Sequence, residues 1–132
     1  MHKKIKKLYR IMTPAEYKAV KSSGYFKPAE LVREGHVYAC YLFQAEFVAG
    51  LLYHGEFGLT LLEIDPTQLG CIVEDKNLKG GKEFFPHIKG PIPAAACINE
   101  YPLPVEADGT FELPLELQAE YEEQMNARAM MN

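Results

Sequence analysis

GGKEFFPHIKGPIPAAACINEYPLP, residues 80–104, is the stretch whose reading decides how the rest of the chain is understood. Glycines, prolines, Glu83, the pair Phe84-Phe85, His87 and Lys89 are crowded into it. Proline removes conformational freedom and glycine permits close approach of backbone to ligand, so the run is expected to be a rigid loop that walls a pocket. The chain before it then reads as the scaffold that holds this loop.

Working outward toward the C-terminus, Ala94 to Tyr101 reads as a strand. Pro102 and Pro104 confine it to an edge or an exit, because proline cannot donate to a ladder. Asp108-Gly109 predicts a hairpin turn between Val105 and Phe111–Leu113. Leu115 to Met130 is rich in Glu, Gln, Ala and Met and reads as a helix with a thin stripe at Leu117, Tyr121, Met125 and Ala129. That stripe is expected to dock on the domain; the alternative is a partner chain, which would make this helix the seam of a homodimer.

Toward the N-terminus the signals are stronger. Ile5 to Met12 reads as a strand, followed by Thr13 as N-cap, Pro14 at the first helical position and Glu16 three residues after the cap. This helix should reach Ser22 and end at Gly24, with a loop or short helical turn around Leu31 and Val32. Gly35 to Cys40 alternates as a strand, placing His36, Tyr38 and Cys40 on one face. Apolar spacing predicts a second amphipathic helix over Leu42–His54, and a strand over Leu59–Ile64 closed by Asp65-Pro66. Cys71 to Glu74 is a further short strand. No GxGxxG or P-loop pattern occurs, so an α+β domain is expected rather than a doubly wound nucleotide fold.

With 132 residues and 48% apolar content, the chain is sized for one globular domain, placed at residues 1–114, with residues 115–132 as a helical extension. The net charge is −4, and the one basic run, His2 to Lys7, is read as a solvated terminus, so the charge argues against nucleic acid as partner. Cys40, Cys71 and Cys97 show no CxxC or Cys-His metal spacing and are read as buried reduced thiols. No metal is expected. No signal peptide and no membrane-length apolar run is seen, so a cytoplasmic location is the expectation.

His87 stands between Pro86 and Ile88, where prolines would steady an imidazole that exchanges a proton near neutral pH; pinning the loop is the competing reading. His54 ends a helix, where a cation suits the dipole. Glu74 and Glu83 flank Gly80-Gly81, and a bend there would bring both acids to one cavity for acid-base work or stabilisation of a developing cation. Lys76, Lys79 and Lys82 would equally neutralise them on a solvated surface. Tyr38 offers a platform for a planar ring, or half of a core contact.

Leu8 to Tyr17 (LYRIMTPAEY), Glu34-Gly35 with Gln44, Leu61 to Pro66 with Leu69-Gly70, and above all Phe85 to Pro93 (FPHIKGPIP) resemble the mostly bacterial family called domain of unknown function 952. The likeness covers residues 8–114. The resemblance implies a compact, split β-barrel-like relative of the ADP-ribosyltransferase fold, with helices packed on small mixed sheets. It implies no required cofactor, with NAD as a candidate substrate in a cleft, and an ADP-ribosyltransferase-like transfer as the activity. A small-molecule-binding module, or a biosynthetic enzyme without NAD chemistry, is the alternative.

Carried over by position, the supporting acid falls on Glu74 or Glu83, the ribose contact on Arg10 with Thr13 and the stacking ring on Tyr38, while His87, from the family's own loop, joins Glu83 and Glu74 as a catalytic candidate. Ligand contacts fall on Arg10, Thr13, His36, Tyr38, Gln44, Phe85 and Lys89. The chain departs from the family at residues 35–41, GHVYACY where a GFIHLST pattern is usual, so Tyr38 stands at the histidine position and Cys40 at the serine. That departure implies either a pocket retuned with His36 as partial substitute or loss of the ancestral activity.

Overall fold

The computed structural model describes residues 6–77 and 83–131. The expected bend at Gly80-Gly81, with Lys79 and Lys82, lies outside the described residues, as do His2 to Ile5 of the basic run.

The first strand, β1 (Leu8–Met12), runs straight into helix α1 (Pro14–Ser23). Thr13 caps that helix as expected: its hydroxyl accepts from the Glu16 amide at 3.2 Å while the Glu16 carboxylate takes the Thr13 amide at 3.1 Å. Gly24 ends it with φ +80°, a left-handed conformation that side chains disfavour. Next come β2 (Tyr25–Phe26), helix α2 (Ala29–Glu34), β3 (Val37–Tyr38) and helix α3 (Leu42–Tyr53). The chain continues through β4 (Leu59–Ile64), β5 (Val73–Lys76), β6 (Phe85–Ile88), β7 (Ile92–Pro93) and β8 (Cys97–Leu103) to helix α4 (Gln118–Met131).

The sheets are β1-β4-β8, β3-β6-β5 and the ladder β2-β7, and every pairing is antiparallel. The expectation of mixed sheets is corrected: no parallel pair and no closed barrel forms among the described residues. Residues Tyr9 and Cys40 exchange backbone hydrogen bonds of 2.7 and 2.8 Å, which tie the first sheet to the second.

Strands β1 and β4 explain the core, because both of their faces are buried. Tyr9, Ile11, Leu59 and Leu61 pack with Leu42, Ala45 and Ala49 of α3, whereas Leu8, Met12, Leu62 and Ile64 pack with Val20, Val37, Ile88 and Ile92. Near-continuous apolar runs such as LTLLEI are what burial on two faces requires.

The quoted stretch also needs correction, for its first part is a strand and not a loop. β6 lies at the centre of its sheet despite Pro86. Proline lacks an N–H but keeps its carbonyl, and that oxygen accepts from the Ala39 amide at 3.1 Å. Pro102, by contrast, sits on the edge strand β8, as the sequence predicts.

Helix α4 packs against α3, but not along the stripe expected. Met125 and Ala129 are exposed, and the inward side is made by Leu117, Tyr121, Gln124 and Arg128. The true period of 3.6 residues drifts away from a strict four-residue stripe within three turns. Cys40 is buried as expected, whereas Cys71 and Cys97 are only half-buried, on a turn and an edge strand. Among the described residues no helix is long and apolar enough to cross a membrane.

Candidate functional site

The register of the second sheet assembles the site. Tyr38 on β3 lies opposite His87 on β6, and His87 lies opposite Glu74 on β5, so the three side chains form one row across the sheet. His36 joins them from just before β3. Its ring meets the Tyr38 ring edge-on at 4.8 Å between centroids and the His87 ring at 4.5 Å, and Tyr38 meets His87 at 5.1 Å.

Both imidazoles are removed from solvent, with His36 6% and His87 2% exposed. The His87 Nδ1 lies 2.7 Å from the Phe85 carbonyl oxygen. A carbonyl only accepts, so Nδ1 carries the hydrogen and Nε2 of the neutral ring presents a lone pair. That Nε2 has no partner, and neither has Nε2 of His36. Burial holds the His36 pKa below the ordinary histidine value, with His87 and Lys89 adding to the same effect.

Charged groups ring the cluster. The Tyr38 hydroxyl donates to Glu34 at 2.5 Å, and that bond, with burial, pushes the phenol up to about 12. Lys89 Nζ stands 3.2 Å from the Glu74 carboxylate; this lysine and then Lys76 hold Glu74 below its usual range. The sequence reading gave neither Glu34 nor Lys76 a site role: Glu34 entered only beside Gly35 in the family-like run, and Lys76 only as one of the lysines that would neutralise Glu74 and Glu83. The four-residue distance from Glu34 to Tyr38 was the signal that could have paired them.

Other expected site residues are engaged in holding the fold. Arg10 is a buried clasp: Nη1 and Nη2 donate to Glu30 at 2.9 and 3.0 Å, Nη1 also to the Tyr38 carbonyl at 2.7 Å, and Nη2 to Glu16 at 3.3 Å. Its Nε has no partner. Thr13 is the α1 cap. Gln44 is 3% exposed, accepts from the Tyr41 amide at 2.9 Å and donates to the Phe84 carbonyl at 2.9 Å, so it fastens the entry to β6 onto α3. Phe85 packs on the α3 side of the core.

Glu83 and Glu74 are not brought together. Glu83 pairs with Arg128 of α4 at 3.0 Å, while Glu74 stays across from His87. Cys40 is buried on the other core, with its thiol pushed up to about 12 by burial. His54 lies against Gly109.

Two cavities are present near this framework. One of about 50 Å³ is lined by Arg10, Tyr38, Leu52 and Tyr53 among others. The larger, about 360 Å³, opens between α1 and β8 at Tyr17, Lys21, Asn99 and Glu100 and includes none of the expected site residues. Arg10 borders the smaller cavity, while His36 and His87 line neither, and we place the site at the His36-Tyr38-His87 cluster because two of the unpartnered buried polar atoms are there. Among the described residues no group of three or more His, Cys, Asp or Glu is placed to hold a metal ion.

The fold is similar to that of Protein CC0527 from Caulobacter crescentus. Its X-ray structure superposes with a TM-score of 0.73 at 26% identity, covering 88% of this chain and 98% of that one. The solution NMR structure of the same protein gives a TM-score of 0.73 at 28% identity over 86% and 97% of the two chains. No curated protein is significantly similar to the chain. The family described as "Protein of unknown function (DUF952)" matches residues 11–100, across α1, α3 and both three-stranded sheets, and the chain belongs to it.

Proposed function

We propose that the His36-Tyr38-His87 cluster is a small-molecule site and that NAD or a related nucleotide is its ligand, handled by ADP-ribosyltransferase-like chemistry on an ADP-ribosyltransferase-related fold. The observation that carries the site is the pair of buried, unpartnered Nε2 atoms. A buried polar atom without a partner is costly, about 1–3 kcal/mol each, and a hydrogen-bonding ligand removes that cost.

In this reading Tyr38 positions the planar ring, and the imidazoles hydrogen-bond the sugar or its leaving group. As the glycosidic C–N bond breaks, its electron pair leaves with nicotinamide and positive charge develops on the anomeric carbon, which a nucleophilic acceptor or water then bonds with loss of its proton. Glu74, across from His87, is the carboxylate suited to stabilise that charge. Each acid has a cationic partner, and Glu83 is the less suited because it lies outside the row of Tyr38, His87 and Glu74 and is held by α4.

Arg10 favours a second reading. With its guanidinium committed to Glu30 and Glu16, it is not free for a pyrophosphate, and a binding module or biosynthetic enzyme without NAD chemistry would keep the same cluster.

Calorimetry with NAD, wild type beside Tyr38→Ala and His87→Gln, tests the proposal. Micromolar binding lost in both variants is expected; no binding at millimolar NAD overturns the nucleotide. A thermal-shift panel of NAD, NADH and ADP-ribose adds a check, since a ligand at about 100 times its Kd stabilises by about 2.7 kcal/mol. Glu74→Gln should then abolish turnover and spare binding, whereas loss of turnover in Glu83→Gln alone would reverse the assignment of the acid.

A further inference from the structure

Helix α3 is apolar all round, carrying one charge, Glu46, in twelve residues. A helix of that composition is ordinarily covered on every side. One side of α3 is covered by the sheet β1-β4-β8, through Leu42, Ala45 and Ala49. Its first turn is covered by α4, whose Arg128 guanidinium lies 4.1 Å from the centre of the Phe43 ring. The remaining two turns are bare: Phe47, Leu51 and Leu52 are 64%, 67% and 63% exposed.

Gly50 shares that bare face, three residues after Phe47 and next to Leu51. A Cβ at Gly50 would meet nothing within 4 Å, so nothing inside the monomer requires a glycine there. Glycine in a helix interior is destabilising relative to alanine, because it loses more backbone freedom on folding. A facing backbone or ring that approaches closely would account for it.

We propose that this face is the seam between two copies of the chain, with α3 crossing its counterpart about a two-fold axis. The knob, Phe47, and the hollow, Gly50, lie on one patch, which makes the patch complementary to itself under such an axis. Phe47-Leu51 and Val48-Leu52 form ridges at four-residue spacing, the rows that interdigitate when helices cross near −50°. The one charge of the helix, Glu46, is exposed at the N-terminal end of the patch, one turn before Gly50.

With Phe57, 80% exposed in the turn that follows, the apolar surface is on the order of 500 Å², more than half of the roughly 800 Å² that each partner contributes to a stable interface. The expectation that α4 is the seam is less well supported, because its outward side carries Glu122, Glu123 and Asn126. Leu52 also lines the small cavity beside Arg10 and Tyr38, so the second copy would roof that cavity.

Sedimentation of the full chain over micromolar to sub-millimolar concentration tests this. The wild type should be dimeric, and Phe47→Glu monomeric with an unchanged circular dichroism spectrum. Gly50→Ala guards against a variant that merely fails to fold: it should raise the melting temperature of the monomer and weaken the dimer about tenfold. A monomeric wild type, a dimer that survives Phe47→Glu, or a dimer unchanged in Gly50→Ala overturns the proposal.

Discussion

The guanidinium of Arg10 and the carboxylate of Glu30 meet through both nitrogens and both oxygens, at 2.9 and 3.0 Å, and the same carboxylate takes the Tyr38 amide. The two side chains are 11% and 13% exposed. Removing one member of such a buried pair strands the other charge, so Glu30→Ala should cost about 3–5 kcal/mol in urea unfolding. Because Glu30 also holds β3, the variant should lose any ligand bound at Tyr38. Full stability in Glu30→Ala would mean that the clasp is dispensable.

His36 makes stability depend on pH. Its folded pKa lies below the unfolded value of about 6.5, so the unfolded chain binds more protons between those two values. Stability is therefore complete above about pH 6.5 and falls as the pH drops toward the folded pKa. The groups facing the ring are His87, Lys89, Glu34 and Lys76, and the lysines reinforce the effect. Melting temperatures of wild type should fall on acidification through this window more steeply than those of His36→Gln. Parallel curves would refute the assignment.

The Tyr9 hydroxyl lies 3.1 Å from a carboxylate oxygen of Glu63 and 3.1 Å from one of Glu120. It has one hydrogen to give. Glu63 is otherwise supplied by Asn99 at 3.0 Å and Tyr101 at 3.3 Å, so Glu120 is the acid left short of a donor. Burial and then both acids drive the Tyr9 phenol well above the usual range. In Glu120→Gln the amide donates to the Tyr9 oxygen, and the variant should gain about 1 kcal/mol at neutral pH. A loss of that size in chemical denaturation would show that the carboxylate is already satisfied.

Gly109 has φ +86°, and a Cβ there would stand 2.5 Å from Nε2 of His54. Gly109→Ala should destabilise by about 1–3 kcal/mol, combining left-handed strain with the collision. Adding His54→Ala should recover the collision and leave the strain. If the double variant melts no higher than the single one, the ring is not what Gly109 accommodates.

The helices were legible from local chemistry. Thr13, Glu16 and Gly24 bound α1 through contacts within a few residues, and apolar spacing placed α3 to within one residue of its end. Strand β4 was legible too, since Leu59–Ile64 is one apolar run. The candidate site was legible only in part. His36, Tyr38 and His87 were singled out, yet their meeting depends on register between β3 and β6, which no local signal encodes. Glu74 and Glu83 look equivalent in sequence, but cross-strand pairing takes one to His87 and α4 takes the other. Arg10 and Gln44 carry the polarity of ligand contacts, and their commitment to Glu30 and to Phe84 is a property of tertiary packing. Pro86 hid β6, because proline in an apolar run usually argues against a central strand.

The same pairings have a kinetic consequence. Val37 finds Ile88, Tyr25 finds Pro93, and Leu8 finds Ile64, so every sheet closes across a long intervening chain. Loop-closure entropy must be overcome before these contacts give any return, and domains dominated by such pairings fold slowly. α1 and α3 can form early from neighbouring residues, whereas the histidine pair comes together only when β6 docks between β3 and β5. In a refolding experiment followed by two probes, helical signal should therefore precede the environment of Tyr38 and His87, and the site should be the last part of the protein to exist.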